Sequence, residues 1–414
     1  MVKVMRSIVG GPLAPYVAGF AADLLGQGYS RNSAEQHVCF IAHLDRWLLA
    51  EGLGAEDLRE STIERYLMQR RAAGYVEYRS VKAVRPLLEF LAPLGVLPSK
   101  PLIQLDPVEE LLSRYRGYLL TERGLAPGTV AGYVHVARPF IASRSRGEQL
   151  ELAGLSAADV IEFVLASCPG RATGSAKLIV TVTRSMLGWL HLTGLVPSPL
   201  ATAVPAVAGW KLAGLPQALT PVQVRALLAS CDRRTPTGRR DYAIVLMLAR
   251  LGLRAGEVAR LGLDDIDWHA GELQVVGKGN RGESLPLPAD VGAAIAAYLR
   301  RGRPCAAQGR SVFVRVHAPY RALTPGGIGN VVNAAGERAG LGHVHAHQLR
   351  HSAATAMLRA GSPLVEVGQV LRHRSAFNTT IYAKVDQDAL VVLARPWPSP
   401  RPSSRRSARK GGVS

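Results

Sequence analysis

The sequence predicts a mainly α-helical protein with one small antiparallel β-sheet, in which helical units precede a mixed α+β domain. Apolar residues recur at three- and four-residue intervals through most of the chain, which is the period of an amphipathic helix. One segment, "ELQVVGKGNRGESLPLP", places two short strands around a Gly-rich turn and predicts a β-hairpin. The length of 414 residues is large for a single core. We therefore expect two or three domains.

Two segments in the first half of the chain follow the same plan. "FLAPLGVLPSKPL" from Phe90 matches "WLHLTGLVPSPL" from Trp189, and in both a helix closes on glycine before a proline-bearing exit. Upstream of each match, two helices with similar apolar spacing are joined by a polar turn. We predict two copies of one helical unit, at residues 10–103 and 107–203. Coincidence between two generic helical hairpins is the alternative.

The second half of the chain has a different character. Residues 204–217 lack a strong period and suit a linker. The domain predicted over residues 218–394 begins with Thr220 as an N-cap and Pro221 in the first turn of a helix. Residues 395–414 hold six basic and no acidic residues among many Pro and Ser, so we predict a disordered basic tail.

The charge balance points to a polyanionic partner. Fifty Lys and Arg residues against 31 Asp and Glu give a formal net charge of +19, an excess that is typical of nucleic-acid-binding proteins. The chain shows neither an apolar run of roughly 18 residues nor a long apolar signal core, so we expect a cytoplasmic protein without a membrane partner. The four cysteines lack metal-ligand spacing, which argues against a zinc site or a disulfide scaffold.

Two motifs place charged residues in turns. "GLRAGEVARL" puts Arg254 in the turn after a buried helix and Glu257 in the first turn of the next helix. "GKGNR" puts Lys278 at the tip of the predicted hairpin between two glycines, where backbone can approach a ligand closely. Taken alone, each motif also fits a solvated residue in an ordinary turn.

Three further motifs follow toward the C-terminus. "HAHQLRHSAATAML" sets His347 and Arg350 three residues apart on one helix face, where both can reach one ligand group. Because residues 345–360 contain no Asp or Glu, the pattern indicates an anion site and not a metal site. "LRH" ends a helix with His373, and "NTTIYAKV" presents Tyr382. Taken alone, these two fit a partner of the helix dipole and a core residue.

Taken together and in this order, these residues make the chain resemble the tyrosine site-specific recombinases, the phage-integrase-like family. The resemblance is strong over residues 218–394 and weaker over 107–203, which would be the helical, SAM-like core-binding domain of that family. The positions that match fall within about 130 residues: they are Arg254, Lys278, His347, Arg350, His373 and Tyr382.

The resemblance implies an enzyme that cuts and rejoins DNA strands, for integration, excision or transposition of a DNA element. Tyr382 would attack a backbone phosphate, form a 3′-phosphotyrosyl bond and release a 5′-hydroxyl, and the reverse step would rejoin DNA without ATP. Arg254 and Arg350 would grip the non-bridging phosphate oxygens with paired donors, as guanidinium groups do and lysine cannot.

The other matched residues would serve proton transfer and orientation. The resemblance implies that Lys278 donates a proton to the departing 5′ oxygen and that His347 assists proton transfer at Tyr382. His373 would donate a hydrogen bond to the phosphate, and Glu257 is interpreted as an orienting group that supports the site. Because fixed cations would stabilise the transition state, we expect no cofactor and no metal.

This chain departs from the family pattern at one position and leaves several basic residues unassigned. Arg372 stands where the family commonly has glycine, and Arg374 follows soon after it. We expect His351 to lie on a different side of its helix from His347. Capping, packing or DNA-backbone contacts are predicted for three histidines, which are His343, His345 and His351.

The expected partner is double-stranded DNA, bound by four protomers on two sites, with or without partner recombinases. The segment "DQDALVVLA", residues 386–394, is predicted to be a short helix that couples neighbouring protomers, the alternative being a helix folded back on its own core. Two other functions stay open at this point. One is relaxation of DNA by a type IB topoisomerase-like activity, and the other is gene regulation by a DNA-binding protein with a vestigial site.

Overall fold

The computed structural model confirms the predicted fold class. In the part of the chain that it describes, α-helices dominate and the strands form two small antiparallel sheets. None of the helices described is long and apolar enough to cross a membrane. The structure describes residues 9–97, 106–146, 149–208, 218–277 and 282–372, together with Thr379 and Tyr382.

The N-terminal segment, described over residues 9–97, contains four α-helices in that range. The buried carboxylate of Asp45 accepts hydrogen bonds from the backbone N–H groups of Gly11 and Leu13, which ties the chain before the first helix to the second. The Ser30 hydroxyl accepts a hydrogen bond from Ser33 N–H and caps the second helix. The helices are α1 (Ala14–Gly26), α2 (Arg31–Ala50), α3 (Glu60–Ala72) and α4 (Val81–Leu91).

The next segment, described over residues 106–146 and 149–208, also contains four α-helices, with a short antiparallel strand pair between the second and third. Its core is formed by buried apolar and aromatic side chains, and the buried Tyr115 donates a hydrogen bond from its hydroxyl to Ser185 Oγ at 2.9 Å. The elements are α5 (Pro107–Thr121), α6 (Pro127–Ala142), β1 (Ser145–Arg146), β2 (Gln149–Leu150), α7 (Ala157–Ser167) and α8 (Thr173–Leu192).

The C-terminal segment carries a three-stranded antiparallel sheet in the order β3 (Ile266–Asp267), β4 (Glu272–Val276) and β5 (Gly282–Pro286), and the predicted hairpin corresponds to the β4–β5 pair. Thr220 caps the first helix as predicted, accepting a hydrogen bond from Gln223 N–H. The elements are α9 (Pro221–Ala229), α10 (Pro236–Leu251), α11 (Ala255–Arg260), β3 (Ile266–Asp267), β4 (Glu272–Val276), β5 (Gly282–Pro286), α12 (Ala289–Arg301), α13 (Pro325–Arg338), α14 (Ala346–Arg359) and α15 (Leu364–Val370).

Helix α10 passes through the core of the C-terminal segment. Its residues from Ala243 to Leu248 are all buried, because α12, α13 and α14 surround it. The helix ends at Leu251, and the capping residue that follows, Gly252, has a φ of +58°, a left-handed conformation that glycine adopts without steric cost. This sharp end directs the chain toward Arg254 and α11.

The chain divides into two compact units. The first contains residues 1–54, 76–78 and 214–414, and the second contains residues 55–75 and 79–213. Within the first unit, the turn after α1 packs on the loop before α13, since a Cβ at Gly28 would clash with the Tyr320 ring. The domain boundaries predicted from the sequence, and the duplication behind them, do not follow this division and stay predictions.

Candidate active site

Arg350 lies at the centre of the candidate site and is 1% exposed. Helix α14 buries Leu349 in the main core of this segment. The next residue, Arg350, extends its guanidinium toward the C-terminal ends of α10 and α15. Arg350 donates from Nη1 to the Gly252 carbonyl at 2.6 Å and from Nη2 to the Leu371 carbonyl. Burial, with a smaller contribution from the charge of Arg254, lowers the pKa of Arg350 to about 10, so the group stays cationic at neutral pH.

Arg254 forms a second cationic group of the site, held by Glu257 of α11. The Glu257 carboxylate accepts from Arg254 Nη1 at 2.6 Å and from the Arg254 backbone N–H at 2.8 Å, which also caps the helix. Because 38% of the Arg254 side chain is exposed, this guanidinium has a face available to a ligand. The predicted orienting role of Glu257 is supported by these contacts and stays a prediction.

The Glu257 carboxylate is nearly inaccessible and also binds a third arginine. Arg372 donates from Nη2 to Glu257 Oε2 at 2.8 Å, and the two side chains are 4% and 1% exposed. Burial acts to raise the pKa of Glu257, but hydrogen bonds from Arg254 and the charges of Arg372 and Arg254 outweigh burial and hold it below its usual value. Glu257 is therefore an anion within a cationic cluster.

Tyr382 is 1% exposed and lies against His351, one helical turn beyond His347 on α14. The Tyr382 hydroxyl and His351 Nδ1 are 2.9 Å apart, and the two rings meet edge to face with centroids separated by 5.4 Å. Burial raises the pKa of the Tyr382 hydroxyl, and the charges of Arg350 and Arg254 oppose that rise. The nucleophile predicted from the sequence thus lies beside a histidine that the sequence interpretation left without a catalytic role.

The prediction that His351 lies on a different side of α14 from His347 is wrong. Their ring centroids lie 4.4 Å apart, because residues four apart share one face of an α-helix. Sequence spacing alone could have revealed this neighbourhood, whereas the contact with Tyr382 depends on tertiary packing. Of the other two histidines, His345 is the N-cap residue of α14 and packs edge to face on His343, which agrees with the expected capping and packing.

The described structure brings together most of the predicted site residues. Helix α14 positions His347 and Arg350, the end of α10 leads to Arg254, and Tyr382 packs on α14 and α15 among buried apolar residues.

Lys278 and His373 lie outside the described residues, and so do the predicted coupling helix 386–394 and the basic tail. Their roles stay predictions. No group of three His, Cys, Asp or Glu residues suited to a metal ion occurs in the ranges described.

The stability of this site should depend on pH through His351. Burial and the nearby His347 and Arg350 lower the pKa of His351 to about 4, whereas the ordinary value is 6.5. Between these values the unfolded chain binds a proton that the folded chain does not, so acid favours unfolding. We expect the free energy of unfolding, measured with urea, to fall between pH 6.5 and 4, and to fall less steeply in His351→Gln. Identical pH slopes for the two proteins would contradict the burial of a neutral His351.

The chain is similar to known integrases and recombinases. Residues 217–388 match the model of the phage integrase family. A Sinorhizobium fredii protein that carries the name integrase/recombinase y4rA is 42% identical over 393 residues, which cover 94% of this chain and 95% of that protein. A tyrosine recombinase XerD of Mycobacterium tuberculosis is 32% identical over 311 residues, which cover 71% of this chain and 98% of that protein.

Similarity also extends to solved structures. One match is the crystal structure of a lambda integrase tetramer bound to a Holliday junction, with a TM-score of 0.51 and 15% sequence identity. The match covers 77% of this chain and 88% of the integrase chain. At this level of identity the match supports the fold.

Proposed function

Because the chain belongs to the phage integrase family and is a tyrosine recombinase, we propose that Tyr382 carries its DNA strand exchange. The Tyr382 oxygen attacks a backbone phosphorus, the bond from phosphorus to the 5′ oxygen breaks, and a 3′-phosphotyrosyl bond forms. Attack by a 5′-hydroxyl on that bond reverses the step, so no ATP is consumed. The observation that carries this role is the contact of the Tyr382 hydroxyl with His351 in a site that also holds two guanidinium groups.

The two arginines stabilise the charge that builds up on the phosphate. Arg350 has two of its donors committed to carbonyl groups, which fixes the plane of the guanidinium and directs the remaining N–H groups in advance. Arg254 is held through Glu257 and keeps an exposed face. Fixed donors of this kind need no reorganisation as charge develops, which is why they favour the transition state over the bound substrate.

The two histidines of α14 serve the nucleophile. A His351 with a pKa near 4 is neutral at pH 7, so its Nδ1 can accept a hydrogen bond from the Tyr382 hydroxyl and hold it. His347 packs on His351, and burial with the charges of Arg350 and Arg254 also lowers its pKa, so it too is a neutral acceptor. Because Tyr382 is 1% exposed, its hydroxyl has to become accessible before it attacks a phosphate. The proposed role of His347, which the family resemblance implies, is to assist the proton transfer.

Two further roles rest on the family resemblance. Lys278 donates a proton to the departing 5′ oxygen, and His373 donates a hydrogen bond to a non-bridging phosphate oxygen. Both residues match the family motifs in order, and the one local departure is Arg372, directly before His373.

The substrate is double-stranded DNA, and the assembly is a tetramer that joins two DNA sites. The net charge of +19 supports binding to the phosphate backbone, and the similar lambda integrase structure holds a tetramer on a Holliday junction. We propose that the reaction integrates, excises or transposes a DNA element in the cytoplasm, at the nucleoid, with or without partner recombinases. The homologues are recombinases, so the topoisomerase-like alternative is not favoured.

Covalent trapping tests the assignment of Tyr382. We expect the protein to form a denaturant-resistant adduct with nicked duplexes, and sequencing of the trapped DNA would identify its site. Tyr382→Phe should give no adduct and should still bind the duplex, because only the nucleophilic oxygen is lost. Native gels of the same reactions should show four protomers with two duplexes. Adduct formation by Tyr382→Phe would refute the assignment, and absence of an adduct from the folded wild type would favour a vestigial site.

A further inference from the structure

Arg372 departs from the family pattern and occupies the candidate site. It has a φ of +55°, a left-handed conformation that residues with a side chain rarely adopt and that the glycine commonly found here in the family adopts freely. Nevertheless, its side chain is only 4% exposed. A long cationic side chain kept buried on an unfavourable backbone conformation indicates that surrounding contacts compensate for both.

Those contacts connect Arg372 to Arg254 by two routes. The Arg372 carbonyl accepts a hydrogen bond from Arg254 Nη2 at 3.4 Å, which is a direct contact. The Arg372 guanidinium donates from Nη2 to Glu257 Oε2, while Glu257 Oε1 accepts from Arg254 Nη1. The carboxylate is therefore shared between two arginines, with one oxygen assigned to each side chain.

Because Glu257 is shared with Arg372, its negative charge cancels less of the positive charge that Arg254 presents to a phosphate. If Glu257 paired with Arg254 alone, one negative charge would offset the positive charge that has to attract a phosphate. With Arg372 bound to the second oxygen, the three groups together carry a net charge of +1. The charge of Arg372 also reaches Arg350, whose pKa is lowered mainly by burial, then by Arg254, and in smaller part by Arg372.

We propose that Arg372 is a positioning residue for the cleavage reaction, acting through Glu257 and through its own carbonyl on Arg254. It holds the Glu257 carboxylate in the orientation that fixes Arg254, and it offsets the negative charge that would otherwise weaken the grip of Arg254 on the phosphate. This inference rests on the proposed role of Arg254 as a phosphate ligand. It extends that role to a residue that the family motif does not include.

The test compares Arg372→Gly with wild type on a nicked duplex carrying the site recovered by covalent trapping. Glycine suits the backbone conformation, so the variant should fold, which thermal unfolding would check. We expect the single-turnover rate of adduct formation to fall by about 10- to 100-fold, a size typical of disturbed electrostatic positioning, with DNA affinity changed less than about threefold. Arg372→Lys, which keeps the charge but loses the planar fork, should recover part of the rate.

A double-mutant cycle separates this role from a general structural role. In Glu257→Gln the shared charge is absent, so adding Arg372→Gly should lower the rate by less than about threefold. Equal losses in both backgrounds would overturn the proposal, and so would wild-type cleavage by Arg372→Gly. Arg359→Ala, which removes an exposed arginine from the last turn of α14, serves as the unaffected control. If the wild type forms no adduct, the proposed function fails, whereas normal cleavage by Arg372→Gly defeats this inference alone.

Discussion

Arg350→Lys is expected to lower the rate of covalent adduct formation by at least about 100-fold, in line with the loss of a fixed donor to a developing oxyanion. The lysine keeps a positive charge, yet a single ammonium group cannot bind the Gly252 and Leu371 carbonyls in the plane of a guanidinium while also gripping a phosphate. Single-turnover cleavage of a nicked duplex measures the effect. Because binding draws on many phosphate contacts, affinity for DNA should change far less than the rate.

The same substitution should also reduce stability. Carbonyl groups that lose a buried partner cost about 1–3 kcal/mol, so Arg350→Lys should lower the free energy of unfolding by roughly that amount. Arg359→Lys makes the same chemical change on an exposed residue of the same helix and should leave both the rate and the stability unchanged. Cleavage by Arg350→Lys within threefold of the wild-type rate would show that charge alone suffices at this position.

Gly252→Ala is expected to destabilise the fold by about 2–3 kcal/mol, through backbone strain at positive φ and a steric clash. An alanine Cβ would lie 2.6 Å from Leu371 Cδ2, and Leu371 is fully buried, so either the Leu371 side chain or one of the two segments must shift. Both segments supply a carbonyl to Arg350, and the shift should therefore slow adduct formation as well. Urea unfolding and single-turnover cleavage measure the two effects.

Gly361 provides the matched control for this substitution. It also has a positive φ, of +88°, but a Cβ there would have no neighbour within 4 Å. Gly361→Ala should therefore show the backbone strain of about 1 kcal/mol without the clash, and the wild-type cleavage rate. Equal stability losses for the two alanine variants would mean that the contact with Leu371 contributes nothing.

Sequence patterns predicted those structural elements that depend only on residues close together in the chain. The β4–β5 hairpin follows from two short strands around glycine, and the cap at Thr220 follows from a hydroxyl residue before Pro221. Helical spacing likewise predicted that His347 and Arg350 belong to one helix, and both lie on α14; their shared phosphate ligand stays a prediction. Long-range packing is not encoded in such patterns, so the division that separates residues 1–54 from 55–75 was not predicted.

The sequence does not reveal the contacts that a side chain makes across the fold. Nothing around His351 indicates that it contacts Tyr382, which lies 31 residues further along the chain. Arg372 is visible in the sequence only as a departure from a glycine, and nothing near it indicates that its guanidinium contacts Glu257, 115 residues away. Pairings of this kind depend on how α11, α14 and α15 dock, and a single sequence does not reveal that docking.

The carbonyl groups that Arg350 binds have a consequence for protein synthesis. Gly252 precedes Arg350 by 98 residues and Leu371 follows it by 21, so the guanidinium acquires both partners only after the ribosome has released the segment beyond α15. Tyr382 emerges later still. A nascent chain therefore lacks an oriented Arg350 until residues far on both sides of it in the sequence have been made.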